Sequence, residues 1–447
     1  MKSTLQLLGV AIFSLLLTAA SPARAQGLTF TTNTYSVASY PLSVAVADVN
    51  GDGYPDLISA NYGPNTLTVL TNNGNGVFVS SATVNLSASP FFVTAADING
   101  DGKPDLICAN YAANSLTVLT NNGKGVFGSN ATLTASAGIS APYCLAVADI
   151  YGNGKPALIC ANNGGSLIIF TNTGPGGFMV NNAIGVGAGL EYVLVADVNG
   201  DGHPDLITAN NSDSTLSVLI NNGSGGFTTA STPSVGPVGA GPLWVVAVNL
   251  NGNPGNCKPA LVSANEGNST LTVLTNGGSG QFGSNATINL PSYPTSLVSA
   301  DFNGDGLPDL AVAEAYNSVE VFTNNGSGGF GSNTVVNFKV QQESLMTANV
   351  TGNNKPALIT ANDNPLGTLT VLTQAGIGRP CLRITQPALN SMIVSWVAVS
   401  NPFVLQTNNN LATTNWSPAN LPVTTGNWTN QSTLTPPRGN LFFRLKH

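Results

Sequence analysis

One segment of this chain, typified by Val46 to Phe78, recurs so that the first residue of its polar loop falls at Asp48, Asp97, Asp149, Asp197, Asn249, Asp301 and Asn349, 48 to 52 residues apart. A unit copied at that period has few folds open to it. In the first copy Pro41 to Ala47 is a β-rich apolar run, Asp48 to Asp56 a polar loop and Leu57 to Asn61 a second run. Tyr62 to Asn65 turns the chain, Thr66 to Thr71 alternates polar and apolar residues, Asn72 to Gly76 is a Gly-rich hairpin, and Val77 and Phe78 open an outer strand. Four short strands per repeat, with 50 Gly and 27 Pro and no long 3.6-residue period, exclude a helical solenoid. The expected fold is all-β, a seven-bladed β-propeller.

The ends of the array predict how the ring closes. The seventh repeat stops after Leu372 without a Gly-Phe pair or an outer strand, whereas Leu28-Thr29-Phe30 and the residues after it match Gly76-Val77-Phe78. Leu28 to Ser39 is therefore expected to complete the last blade, leaving no open edge. Ahead of it, residues 1–25 read as a signal peptide: Lys2 is followed by an apolar stretch from Leu5 to Ala20 and by Ala23-Arg24-Ala25, so the mature chain would begin at Gln26 in a secreted, extracellular or periplasmic setting. The apolar stretch is short for a membrane anchor, and no later segment is long enough to span a bilayer.

The propeller is expected over residues 26–379 and a small C-terminal β-module over 380–447. Beyond Asp363 the chain has no acidic residue, while Arg383, Arg438, Arg444 and Lys446 are basic and Trp396, Trp416 and Trp428 cluster there. Ser391 to Val399, Phe403 to Thr407 and Leu441 to Leu445 read as its strands.

Four of the seven loops share one acidic pattern, and they hold 12 of the 20 Asp and Glu residues. Side-chain oxygens recur at positions 1, 3, 5 and 9: Asp48, Asn50, Asp52 and Asp56; Asp97, Asn99, Asp101 and Asp105; Asp197, Asn199, Asp201 and Asp205; Asp301, Asn303, Asp305 and Asp309. Glycines at positions 4 and 6 allow the left-handed turns such wrapping needs. Position 7, occupied by Tyr54, Lys103, His203 or Leu307, would add a main-chain carbonyl. Ca²⁺ takes about 6 to 8 hard oxygens, so about four bound Ca²⁺ are expected. An EF-hand is excluded, because position 12 is Ser59, Cys108, Thr208 or Val312 rather than Glu, and Pro at position 8 leads into a strand. Solvated Asx turns are the alternative. The other three loops end in Ala157, Ala260 and Ala357 behind Lys155, Lys258 and Lys355, and no calcium is expected there.

Val46-Ala47-Asp48-Val49-Asn50-Gly51-Asp52-Gly53, with Asp56-Leu57 and a later Gly-Phe, resembles the FG-GAP or VCBS repeats of integrin α-chain heads and many exported bacterial proteins. The resemblance spans about residues 27 to 378; it departs in ending the second strand with Ala-Asn rather than Gly-Ala and in the three broken loops. It implies calcium loops on one face and ligand docking on the opposite one, and carries the fold across but not the ligand; the expected role is a recognition or adhesion module, monomeric, for an extracellular protein or glycan. The turns on that opposite face begin with Asn61, Asn110, Asn162, Asn210, Asn265, Glu314 and Asn362, beside Tyr62, Tyr111 and Tyr316. Phe91, Phe92, Tyr143, Tyr192 and Trp244 start the first strands. Amides beside aromatic rings suit a sugar, so a lectin is one alternative; turn capping and packing between blades is the plainer role.

Catalysis has little to work with. His203 and His447 are the only histidines, and no nucleophilic triad or zinc set can be assembled, so the chain is expected not to be an enzyme. A calcium-assisted polysaccharide lyase using Lys or Tyr as base is the enzymatic alternative. A net charge of -7 without a basic stripe excludes nucleic acid. Of Cys108, Cys144, Cys160, Cys257 and Cys381, the first and third occupy equivalent strand positions and read as buried thiols, with a Cys144 to Cys160 bridge left open.

Overall fold

The computed structural model describes residues 27–251 and 258–374, and beyond them seven strands between Arg383 and Lys446. The signal peptide, the cleavage site, Cys257 and Cys381 lie outside the described residues.

Seven four-stranded antiparallel sheets form the blades. Blade 1 comprises Pro41–Ala47, Asp56–Asn61, Thr66–Asn72 and Phe78–Asn85, and the later blades repeat that order from the axis outward. Their inner strands are Phe92–Ala96, Pro142–Ala148, Leu190–Ala196, Pro242–Val248, Pro294–Ala300 and Gln342–Ala348. Each inner strand neighbours those of the blades on either side, and the first meets the last, so the ring is closed.

Closure takes the form the sequence implied. Phe30–Ser36 is the outer strand of blade 7, antiparallel to Thr368–Gln374 with Phe30 opposite Gln374 and Ser36 opposite Thr368. It also grips both neighbours. The Leu28 amide donates to Asn333 Oδ1 in blade 6 at 2.8 Å, and the Tyr35 hydroxyl donates to the Gly76 carbonyl in blade 1 at 3.0 Å. Tyr35 meets Phe78 edge-on at 5.3 Å.

The core lies between blades rather than at the axis. Ile107, Leu116 and Val118 of blade 2 pack on Leu145, Leu158 and Phe170 of blade 3, and equivalent clusters fill the other six interfaces. Second strands such as Asp56–Asn61 are buried along their whole length, since both faces of the sheet meet a neighbouring blade. That is why they read as near-continuous apolar runs, each buried Leu or Ile contributing about 1.5–3 kcal/mol. The outer strands alternate toward solvent.

Cys108, Cys144 and Cys160 are buried free thiols, so the Cys144 to Cys160 bridge does not form. The tail strands make a four-stranded sheet (Arg383–Ala388, Ser391–Val397, Thr429–Leu434, Thr424–Gly426) and a three-stranded one (Ser417–Pro418, Val404–Asn408, Phe442–Lys446), a small β-module of its own. Among the described residues no helix is long and apolar enough to cross a membrane.

Candidate functional sites at the two ends of the ring

The acidic loops leave the inner strands at one end of the ring. In blade 1 Asp48 accepts from the amides of Gly51 (2.8 Å), Asp52 (3.2 Å) and Gly53 (2.8 Å); Asn50 Oδ1 accepts from Asp52 N (2.9 Å), and Asp52 Oδ1 from Tyr54 N (2.9 Å). This stack of Asx turns needs φ of 79° at Gly51 and 88° at Gly53, where an L side chain would be strained. The same bonds organise the loops at Asp97, Asp197 and Asp301. The position-7 side chains fold back on the hairpin: Tyr54, Lys103 and His203 press on Gly74, Gly123 and Gly223 so closely that a Cβ there would collide, and Leu307 lies against Gly326.

Asp56, Asp105, Asp205 and Asp309 are each 0% exposed. Asp105 accepts from Ile98 N at 3.2 Å and from Asn121 N at 2.7 Å, joining its loop to the end of the third strand. Asn121 then reaches into blade 1, donating to the Val49 carbonyl at 2.9 Å. The corresponding contacts of Asn72, Asn172, Asn221, Asn276 and Asn324 clasp their blades to the Val350, Ile98, Ile150, Val198 and Leu250 carbonyls. The acidic rim is therefore also the seam of the ring.

The donor set fits a hard cation in kind. The outer oxygen of the position-5 Asp already takes a local donor: an Asn amide on Asp52, Asp201 and Asp305 at 2.8 to 3.0 Å, and the Lys103 ammonium on Asp101 at 3.4 Å. Burial, offset by their backbone bonds, raises Asp56 and Asp309 to about 6, with neighbouring loop carboxylates adding to the rise, and raises Asp105 and Asp205 for the same reasons. A nearby cation would reverse that. As they stand, no three acidic, His or Cys side chains among the described residues close on a single point.

At the opposite end lies a cavity of ≈ 280 Å³, and one backbone device builds its wall. The pairing of first and second strands slips by a residue between Pro41 and Ser43, and likewise at the start of the inner strands of blades 3 to 7. In blade 2 Phe91 holds the same place, donating to Ala109 while Phe92 takes up the register. A bulge re-aims one side chain. The seven displaced residues, Leu42, Phe91, Tyr143, Glu191, Leu243, Thr295 and Glu343, all line the cavity.

Tyr192 stacks on Trp244 at 4.0 Å, and Phe91 lies 4.5 Å from Tyr143 and 5.6 Å from Tyr111. Glu191, Glu266 and Glu343 supply charge. Glu191 Oε1 accepts from Asn163 at 3.0 Å, whereas its Oε2 is enclosed without a hydrogen-bond partner; the Tyr143 hydroxyl stands close without reaching full hydrogen-bond geometry. Burial raises Glu191 to about 7, against the help of Tyr143 and Asn163 and with a further push from Glu266. Glu343 is raised by burial and then by Asp363, and accepts from Gln341 at 2.6 Å.

Of the expected ligand residues, Trp244 lines this cavity and Tyr111 flanks it, while Tyr62 and Tyr316 are exposed, Tyr316 meeting Tyr293 at 6.1 Å. The six asparagines are placed otherwise. Asn61, Asn110, Asn162, Asn210, Asn265 and Asn362 are at most 2% exposed, and their amides donate to Ser or Thr hydroxyls of the third strand, Asn61 to Thr66 and Thr68 at 3.2 and 2.9 Å. They lock the second strand to the third. Glu314 takes this place in blade 6, buried beside Glu320, which stands where Thr68 does. Sequence reasoning did not single out Glu191, Glu266, Glu343, Gln341 or Tyr293. Stacking the residues that follow Pro41, Pro90, Pro142, Pro242 and Pro294 would have marked most of the ring as the column where the repeats disagree.

Six stretches, residues 48–108, 97–160, 149–208, 197–253, 255–312 and 301–360, match the model of the FG-GAP-like repeat. The chain belongs to the FG-GAP-like repeat family. No curated protein matches this FG-GAP-repeat chain. Among solved structures it is similar to BBS1N crystallised in complex with ARL6DN (15% identity, TM-score 0.56, 79% of this chain and 98% of that one). It is also similar to Sqt1 of Saccharomyces cerevisiae (13%, 0.52, 78% and 98%) and to a candidate 6-phosphogluconolactonase from Bacteroides fragilis (14%, 0.54, 69% and 87%). At such identities these likenesses speak to the propeller fold alone.

Proposed function

We propose that this FG-GAP-repeat protein is an exported, monomeric recognition or adhesion module, stabilised by about four Ca²⁺, that holds an extracellular protein or carbohydrate at the mouth of its ring. The observation that carries this reading is the ring of seven bulged residues: the scaffold repeats, yet the side chains it aims into one cavity differ from blade to blade. In the acidic loops, Asp48, Asn50, Asp52, the Tyr54 carbonyl and Asp56, and their counterparts in blades 2, 4 and 6, would hold the metal. The ion would neutralise crowded carboxylates at the seam and so stiffen the platform on which the mouth is built.

A binder is favoured over a lyase for an electrostatic reason. Burial, and then the charge of Glu191, push the Tyr143 phenol up, which keeps it protonated and leaves little phenolate to act as a base, and no Lys lines the cavity. Calorimetric titration of the chelated mature chain is expected to return about four Ca²⁺ equivalents, with chelator lowering the melting temperature by several degrees. Seven equivalents, or melting indifferent to chelator, would overturn the calcium assignment. A calcium-replete screen of glycans and matrix proteins, repeated with Trp244→Leu, tests the mouth: binding that ignores the substitution would place recognition elsewhere.

A further inference from the structure

Taking the mouth as the recognition surface, as above, we infer that its cavity receives an alkylammonium cation, a lysine side chain or a quaternary amine, between its aromatic walls and its three carboxylates. Two independent features converge on that chemistry. The walls are carbon-rich and π-faced, built from the Tyr192–Trp244 stack, the Phe91–Tyr143 pair and Phe92 and Tyr293. Such rings attract an ammonium through their quadrupoles, more strongly where water is excluded. The charge is of one sign: Glu191, Glu266 and Glu343 come from blades 4, 5 and 7, and no Lys, Arg or His is among the lining residues.

Glu191 is the sharper clue. Its Oε2 is enclosed without a fully formed hydrogen bond, the Tyr143 hydroxyl standing close but out of full geometry, and a cation offsets such an under-satisfied oxygen more fully than a neutral ligand does. A bare metal ion fits worse. The carboxylates are spread around the ring with aromatic residues between them. An alkylammonium, with an apolar skin around diffuse charge, satisfies both surfaces together. The ≈ 280 Å³ cavity sits just below the range of drug-sized pockets, about 300–1,000 Å³, and suits one side chain or a small amine.

Three probes test this on the mature, calcium-loaded chain by titration calorimetry: choline, its uncharged isostere 3,3-dimethylbutan-1-ol, and Nα-acetyl-lysinamide. At least one of the two cations is expected to bind, with the uncharged isostere at least roughly tenfold weaker than choline if choline is the ligand. The tighter cation names the source, choline for a free quaternary amine and lysinamide for a protein side chain. Glu191→Gln should weaken cation binding about tenfold without lowering the melting temperature, since it removes a charge that burial disfavours. Trp244→Leu should weaken it as well.

Equal binding of the isostere and both cations, or unchanged affinity in both Glu191→Gln and Glu343→Gln, would overturn the inference. So would the absence of binding by either cation. The broader recognition reading then still stands if a glycan or protein from the screen binds and Trp244→Leu abolishes that binding, and it falls too if the binding survives both Trp244→Leu and Glu191→Gln.

Discussion

The two ends of the ring are built on opposite rules. At the acidic rim blades 1, 2, 4 and 6 present the same loop, the same buried Asp at position 9 and the same Asn clasp, so that one blade predicts the next. At the mouth the equivalent positions carry Leu, Phe, Tyr, Glu, Leu, Thr and Glu. Sameness serves closure, because every seam must present the same geometry to its neighbour. Difference would serve the proposed recognition, because seven identical residues around one axis would offer a ligand only a symmetric ring.

The largest effect that can break this comparison lies at the rim. Asp105→Ala leaves the buried amides of Ile98 and Asn121 without their acceptor, and about 2–4 kcal/mol of unfolding free energy should be lost, measured by urea denaturation. Performed in chelator, the experiment separates two roles: a loss that persists belongs to the backbone bonds, and one that vanishes belongs to metal alone.

A middle-sized effect is expected in blade 6, where the rule of sameness is broken. Burial first, and Glu320 second, raise Glu314 to about 7 from an ordinary 4.5. A carboxyl whose folded value is raised is harmless below its unfolded value and costs stability as pH rises through the folded one. Blade 6 should therefore weaken between about pH 4.5 and 7. Replacing the pair by the residues the other blades use, Glu314→Asn with Glu320→Thr, should raise stability at pH 8 by about 1–3 kcal/mol and leave it nearly unchanged at pH 4. Equal gains at both pH values would mean that packing, not charge, is responsible.

The smallest effect sharpens the mouth. Burial raises Glu191 to about 7, and the groups around it are Tyr143 and Glu266, with Glu343 also lining the cavity and Asp363 acting on Glu343, all of them neutral or acidic. Choline keeps its charge at every pH, so its affinity should fall several-fold from pH 8 to 6 as Glu191 takes up a proton. A flat profile would remove Glu191 from the site.

Much of the architecture was legible in the residues. The phase of Asp48, Asp97 and Asp197 announced the blades, and the stranded Phe30 segment announced the closure, because local patterns of apolar and turn residues carry strand and hairpin geometry directly. The Asn-Tyr turns were harder. Asn61 looks alike in sequence whether its amide faces solvent or a neighbouring Thr, and only the packing of one strand on the next turns it inward. Three of the seven tail strands, Ser391–Val397, Val404–Asn408 and Phe442–Lys446, lie within a residue or two of the runs that marked them, whereas Arg383–Ala388, Ser417–Pro418, Thr424–Gly426 and Thr429–Leu434 were not singled out.

The sequence by itself determined the number of blades, the acidic loops and the segment that completes the ring, since each is a matter of composition and spacing along the chain. Only the tertiary structure decided that Glu191, Glu266 and Glu343, scattered over more than 150 residues, share one cavity with Trp244. A one-residue slip in strand register decides which side chain faces the axis, and that slip is fixed by pairing between strands and blades rather than by any residue alone.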